Sequence, residues 1–374
     1  MRILLSGGGT AGHINPALAI AAKIKKEAPD SVIAFVGTPN GMENRLVERA
    51  GYPIYHVAVR GFARSFKPKS IVKNIGTAVM AVTSPLKAKK IIREFKPDAV
   101  IGTGGYVSWP VLKAAATLGI PTLIHEQNAV VGMTTNMLSK IVDRVLISFE
   151  ESRGELECDG DKIVLVGNPT NPDIFKVSKE TERQKLGIGD TPYLLSYGGS
   201  LGAKVINNNV FDIIESGRFK GRIRHTHGVG SYEWSVRKNE IASRGIDKVD
   251  GVEVTEYIYD MPSKMSAADL VIARAGAITL AELAILGKPA ILIPSPNVTN
   301  NHQYKNAKVV SDAGGAVLIE EKDLTPSLLS DKIEELLFDG ERLHAMSQNM
   351  RKLAITDSED KIYREIKALL ERKK

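Results

Sequence analysis

Short runs of valine, isoleucine and leucine alternate with stretches whose apolar residues recur every three or four positions along the chain. Short apolar runs without polar alternation suit strands buried on both faces, so the pattern predicts parallel sheets covered by helices. In the first half the strand candidates are residues 2–6, 32–37, 54–59, 99–102, 122–125, 144–148 and 163–166. In the second half they are 193–197, 222–227, 252–257, 270–273, 290–294 and 316–319. Helical patterns fill the gaps, among them 16–28, 203–215 and 277–286. Gly167-Asn168-Pro169-Thr170-Asn171-Pro172 can continue neither kind of element and reads as a hinge. Charged amphipathic helices occupy 326–374.

Two glycine-rich turns, half a chain apart, each end a strand run and open a helix. The first is Ser6-Gly7-Gly8-Gly9-Thr10-Ala11-Gly12-His13, the second Tyr197-Gly198-Gly199-Ser200-Leu201-Gly202-Ala203. Such turns free N–H groups at a helix start, where the aligned peptide dipoles favour an anion. At 374 residues the chain is long for one core. Together these features predict two Rossmann-like, doubly wound α/β domains facing a cleft, with a phosphorylated ligand between them.

Composition narrows the chemistry. The single Cys158 rules out an internal disulfide and fits a reducing compartment. No apolar run approaches the ~20 residues of a spanning helix. The richest stretch, 270–294, is broken by Arg274, Glu282 and Lys288. The start is too short in apolar residues for a signal peptide, so a cytoplasmic chain is expected. The net charge of +7 is unevenly spread. Arg60, Arg64, Lys67, Lys69, Lys73, Lys87, Lys89, Lys90, Arg93 and Lys96 face one acid, Glu94, and are interleaved with apolar residues. That stretch reads as a contact with anionic lipid or nucleic acid, or as a solvated helix whose apolar stripe faces its own core.

The motifs exclude some ligands and suggest others. Gly7, Gly9 and Gly12 match a dinucleotide fingerprint, but the second strand ends in Gly37-Thr38-Pro39-Asn40, without the acid that would hold a ribose. A nicotinamide or flavin is therefore not expected. Gly202 precedes Ala203-Lys204-Val205, so a nucleoside-triphosphate P-loop is not expected either. His13 follows the first turn and reads as a base for a hydroxyl proton or as a structural histidine. His125-Glu126-Gln127-Asn128 leaves a strand at the end where open sheets bind ligands, or forms a loop network. Gly102-Thr103-Gly104-Gly105-Tyr106-Val107-Ser108 is a third glycine loop opening a helix. In the second half, Gly276 opens a helix bearing Glu282, whose carboxylate could hold two ribose hydroxyls. Asn300-Asn301-His302-Gln303-Tyr304 supplies amide groups suited to a base or sugar. With a single cysteine no zinc-type ligand spacing occurs, so no metal or other cofactor is expected.

Taken in order, these motifs, with Gly167-Asn168-Pro169 and Arg274-Ala275-Gly276-Ala277, resemble the MurG family of bacterial N-acetylglucosaminyltransferases along nearly the whole chain. The resemblance implies the two-domain architecture called GT-B. It implies an acceptor and membrane-facing domain over 1–166 plus a returning C-terminal helix at about 346–374, and a donor domain over 167–345. The implied donor is UDP-N-acetylglucosamine and the implied acceptor undecaprenyl-pyrophosphoryl-N-acetylmuramoyl-pentapeptide, used in peptidoglycan synthesis. The other implied partners are an anionic membrane surface on the cytoplasmic side and other cell-wall enzymes, with no nucleic acid. Family donor contacts fall on Thr10, Ala11, Gly12, Asn128, Ser200, Ile258, Ala277, Ile278, Thr279, Leu280, Ala281, Glu282 and Gln303. His13 becomes the candidate base, with Glu126 orienting it or binding the acceptor, and Gly9, Gly104, Gly105 and Tyr106 become acceptor contacts. Two departures stand out: Thr170-Asn171 replaces an apolar residue and arginine after Gly-Asn-Pro, and Trp109 replaces a small residue.

Overall fold

A computed structural model describes residues 1–59 and 68–372, with the side chains at 68–79, 81 and 82 outside the description. The chain divides into two compact units, Met1–Pro169 with Asp357–Lys374, and Thr170–Thr356. The division falls inside the proline-rich segment read as a hinge.

In the first unit, seven strands form one parallel sheet: β1 (Arg2–Ser6), β2 (Val32–Gly37), β3 (Ile54–His56), β4 (Ala99–Gly102), β5 (Thr122–Glu126), β6 (Arg144–Ile147) and β7 (Ile163–Leu165). Their order is β3-β2-β1-β4-β5-β6-β7, so the winding reverses between β1 and β4. Residues 3–5 of β1 and all of β4 are buried, as strands covered on both faces require. One face packs on the helix Ala11–Glu27 and on the last helix, Ser358–Glu371, through Ile20, Ile24, Ile362, Ile366 and Leu369. Lys23–Asp360 at 2.6 Å and Arg144–Glu365 at 3.2 Å pin that last helix to the unit.

The second unit repeats the plan with β8 (Tyr193–Tyr197), β9 (Arg224–Gly228), β10 (Val252–Thr255), β11 (Leu270–Ala273), β12 (Ala290–Leu292) and β13 (Ala316–Leu318). Their order, β10-β9-β8-β11-β12-β13, reverses between β8 and β11. Ligands of open α/β sheets bind at the carboxyl ends of strands where the winding reverses. All four glycine motifs leave those strands: the β1 and β4 loops in one unit, the β8 and β11 loops in the other.

Three expectations need correction. The helix after the first glycine turn begins at Ala11, not at Pro16, which lies inside it. Proline there lacks the N–H that would bond the carbonyl of Gly12, and Gly12 is exposed to solvent that can replace it. The chain returns to the first unit at Asp357 rather than near residue 346. The helix Gly340–Lys352 stays with the second unit because Met346 joins that unit's core and Ser347 Oγ donates to the Gly287 carbonyl at 2.7 Å. Finally, strand pairing ends one to three residues before several apolar runs do, as at β3, β10 and β12.

Of the basic stretch, Arg60, Arg64 and Lys67, and the side chains of Lys69 and Lys73, lie outside the described residues. Its later part lies in the helix Pro68–Phe95, where Ala88, Ile91, Ile92 and Phe95 face the unit's own core. Leu86, Lys87, Lys90 and Arg93 are exposed there.

Candidate functional site

Glycine geometry brings the two switch-point loops of the first unit into contact. Gly105 has φ +78°, and a Cβ there would lie 2.2 Å from the Gly8 carbonyl oxygen. Gly104, at φ +101°, lies under the His13 ring, so a Cβ would stand 2.7 Å from Nδ1. Gly104 is buried and supports the ring, whereas Tyr106 is 54% exposed and open to a ligand.

His13 is half-buried, its backbone carbonyl accepting from Thr103 Oγ1 at 2.6 Å. Its Nδ1 lies 3.1 Å from Gln127 Oε1, so Gln127 rather than Glu126 orients the ring. Glu126 is engaged elsewhere: Oε1 accepts from the N–H and side-chain amide of Asn128, both at 3.2 Å, and Oε2 from the Gly132 N–H at 3.0 Å. Glu126 is buried and holds the turn that carries Asn128, while the hydrogen bond to His13 comes from Gln127. His125 is fully buried, which holds its imidazole pKa below the usual range despite a hydrogen bond to the Gly167 carbonyl.

Glu43 was not anticipated. It is fully buried beneath the first glycine loop, accepting from the Gly9 N–H at 3.2 Å, the Thr38 N–H at 2.8 Å and Thr38 Oγ1 at 2.7 Å. Burial opposes its charge, but these donors outweigh burial and hold the carboxyl below its usual range. The acid missing from the end of β2 is thus supplied a few residues later and turned inward. Its carboxylate takes the Gly9 N–H, so that group is not free for an acceptor phosphate. The exposed Thr10 and Gly12 remain, at a helix start with no side-chain cap.

The second unit presents a more open anion cradle. Gly202, at φ +90°, packs so closely on the next loop that a Cβ would lie 2.2 Å from the Val229 carbonyl. Ser200 is exposed, and its carbonyl accepts from the Ser231 N–H at 2.9 Å. The helix Lys204–Glu215 begins at Ala203 with no side-chain oxygen over its first N–H groups. By contrast, Ser178, Thr325 and Asp339 do cap the helices that follow them. The helix Ala277–Leu286 begins equally bare at Gly276.

On that helix Ile278, Thr279, Ala281 and Glu282 are half-buried, while Ala277 and Leu280 face inward. Burial pushes the Glu282 carboxyl up to about 7, against a hydrogen bond from the Asn171 backbone. The Asn171 side chain accepts from the Asp173 N–H at 3.0 Å and so caps a turn, providing no positive charge. Arg274 is committed too, donating to the Ile293 carbonyl at 2.9 Å and pairing with Glu321. Ile258 is buried against Gly228, beside exposed Tyr257 and Tyr259. Gln303 Oε1 accepts from the Ser295 N–H at 2.9 Å, which aims its amide NH2 away from that loop. Among the described residues no cluster of three or more His, Cys, Asp or Glu could hold a metal ion, and no helix is long and apolar enough to cross a membrane.

Comparison with known proteins agrees with this layout. Residues 3–147 match the glycosyltransferase family 28 N-terminal domain, and 194–362 its C-terminal domain. A UDP-N-acetylglucosamine–N-acetylmuramyl-(pentapeptide) pyrophosphoryl-undecaprenol N-acetylglucosamine transferase of Acetivibrio thermocellus is 45% identical, covering 100% of this chain and 99% of its own. The protein of the same name from Bacillus cytotoxicus is 41% identical over the full length of both. Among solved structures, MurG of Acinetobacter baumannii superposes with a TM-score of 0.78 at 29% identity, covering 98% of this chain and 99% of that one. A UDP-GlcNAc 2-epimerase from Neisseria meningitidis (TM-score 0.65, 16% identity, covering 98% and 99%) shares the fold alone.

Proposed function

The chain belongs to the MurG family within glycosyltransferase family 28, and from that premise we propose how its two units divide one transfer reaction. N-acetylglucosamine moves from UDP-N-acetylglucosamine to the 4-hydroxyl of a lipid-linked N-acetylmuramoyl-pentapeptide, with inversion at the anomeric carbon.

The observation that carries the donor assignment is the bare start of the helix Lys204–Glu215 behind the Gly198–Ala203 loop. UDP leaves with the electron pair of the broken anomeric C–O bond, so negative charge grows on the diphosphate. N–H groups aimed at that position stabilise the charge as it develops and need no reorganisation. No resident metal has a role in this scheme. Glu282, in the second turn of the helix that starts bare at Gly276, accepts from the ribose hydroxyls, and Ile258 and Gln303 border the uracil and sugar.

The first unit supplies the acceptor's side. His13 takes the proton of the attacking hydroxyl as the new C–O bond forms, and then loses it to solvent. The Gly104–Gly105 loop and the exposed Tyr106 receive the acceptor's pyrophosphate and sugar, while Thr10, Ala11 and Gly12 at the bare helix start border the donor. A polyprenyl acceptor is fixed in a bilayer, so this unit works at the cytoplasmic membrane face. Exposed Leu86 beside Lys87, Lys90 and Arg93 supports that reading, as do exposed Met133, Met137 and Ile141 at four-residue spacing, next to the Lys140–Glu157 ion pair. Apolar residues ringed by lysine and arginine suit an anionic headgroup layer. Incubation of radiolabelled UDP-N-acetylglucosamine with a short-chain lipid-linked muramyl-pentapeptide should give a labelled disaccharide lipid. Label conversion without an acceptor, and no disaccharide with one, would refute the assignment.

A further inference from the structure

His125, Gln127 and His13 form a hydrogen-bonded chain inside the first unit whose proton positions are dictated from its far end. The His125 ring Nε2 lies 2.9 Å from the Gly167 carbonyl oxygen, which can only accept. That nitrogen therefore carries the hydrogen, and a neutral His125 presents a lone pair at Nδ1. Ser148 Oγ, 3.2 Å from the same Nε2, donates its own hydrogen to the Glu126 carbonyl at 2.8 Å and does not compete as a donor. Burial keeps His125 uncharged, since its pKa is pushed down.

The next link is the side-chain amide of Gln127. Its Nε2 lies 2.9 Å from His125 Nδ1 and 2.9 Å from the His125 backbone carbonyl. Both are acceptors, so the NH2 end of the amide must face them and the flipped orientation is excluded. Gln127 is itself buried, and its backbone carbonyl accepts from Asn168 Nδ2 at 2.9 Å. The amide oxygen is then left pointing at His13 Nδ1, 3.1 Å away.

An amide oxygen accepts and cannot donate. We infer that Gln127, its amide held by His125, is a positioning residue that fixes His13 as the Nδ1–H tautomer and so leaves the Nε2 lone pair to receive the acceptor's proton. The opposite tautomer would set a lone pair against the amide oxygen and leave the hydrogen on the nitrogen that must act as base. Gly104 leaves the ring room to take this position, since a Cβ there would stand 2.7 Å from Nδ1. The inference rests on His13 acting as the base, and adds how an amide keeps the ring in its active form. During transfer Nε2 gains the proton, and the Nδ1–H bond to Gln127 persists in the imidazolium.

The test is a long-range proton–nitrogen correlation spectrum of the full chain with nitrogen-15 histidine. It is recorded at pH about 8, above the ordinary imidazole range, with the His13 signals assigned by their loss in His13→Gln. Wild type should show His13 as Nδ1–H. Gln127→Met, of similar length but without hydrogen bonds, should lose that preference and lower kcat by about 10- to 100-fold, with donor KM within about twofold. Gln127→Glu, buried and protonated so that its O–H donates toward His125 while its C=O accepts from His13, should restore the Nδ1–H signature and part of kcat. A wild-type His13 found as Nε2–H, or Gln127→Met with unchanged kcat, would overturn the inference while leaving the base assignment to His13→Ala. Full turnover in His13→Ala would remove the base and this inference with it, whatever the spectrum.

Discussion

Replacing Gly104 by alanine adds one methyl group to the face of the His13 ring. That Cβ would stand 2.7 Å from Nδ1 and 2.9 Å from Cε1, whereas ordinary contacts begin near 3.4 Å. The ring must retreat by roughly 0.7 Å, and Thr103 holds the His13 backbone at 2.6 Å, so side-chain rotation has to supply the movement. A displacement approaching 1 Å at a reacting group costs about 100-fold, or ~2.7 kcal/mol of barrier. Alanine at φ +101° adds backbone strain of roughly 1–3 kcal/mol to the folded state. In a protein that still folds, kcat should therefore fall by about 100-fold and the melting temperature should drop. UDP affinity by calorimetry should be unchanged, because the diphosphate is assigned to the other unit. A folded Gly104→Ala enzyme with wild-type kcat would refute the claim that ring position limits turnover.

Three further outcomes follow from the same geometry. With the Glu282 carboxyl pushed up to about 7 by burial, donor KM should improve as pH rises through about 7; Glu282→Gln should raise KM by roughly 10-fold or more and abolish that dependence, and an unaltered KM contradicts the ribose assignment. His225 and His227 are buried and held down to about 4 and about 3, so both rings are neutral when folded but protonate near ~6.5 when unfolded. Their contribution is complete above ~6.5 and is lost as pH falls toward 4, by up to about 2.7 kcal/mol per pH unit; denaturant titrations with the same midpoint at pH 7 and pH 5 would contradict this. Glu43→Ala strips three donors of their acceptor and leaves a void, which should cost about 2–4 kcal/mol in chemical denaturation; a loss under ~1 kcal/mol would show that the loop does not depend on it.

Much of the fold was legible because doubly wound sheets announce themselves. Strands such as β4 and β11 are buried throughout, so their apolar runs coincide with the elements. The switch-point loops were legible because close backbone approach at Gly105 and Gly202 admits only glycine. What could not be read were side-chain partners drawn from distant segments. Glu43 serves Gly9, 34 positions earlier, and Gln127 serves His13 across 114 positions. No periodicity or spacing encodes such pairs, which depend on β2 lying beside β1 for the first and on β1, β4 and β5 lying side by side for the second. Of the two roles open to Glu126, orienting the histidine falls to Gln127 for a related reason. Successive residues at a strand end point to opposite sides, so one neighbour meets the histidine and the other turns into its own loop.

The central claim is that the helix starting at Lys204 receives the diphosphate of the departing nucleotide. A crystal structure of the UDP complex tests it most directly. Both phosphate groups should lie within hydrogen-bonding reach of the N–H groups of Ser200–Ala203, with the ribose hydroxyls on Glu282. Phosphates bound away from that loop, with Glu282 unengaged, would contradict it.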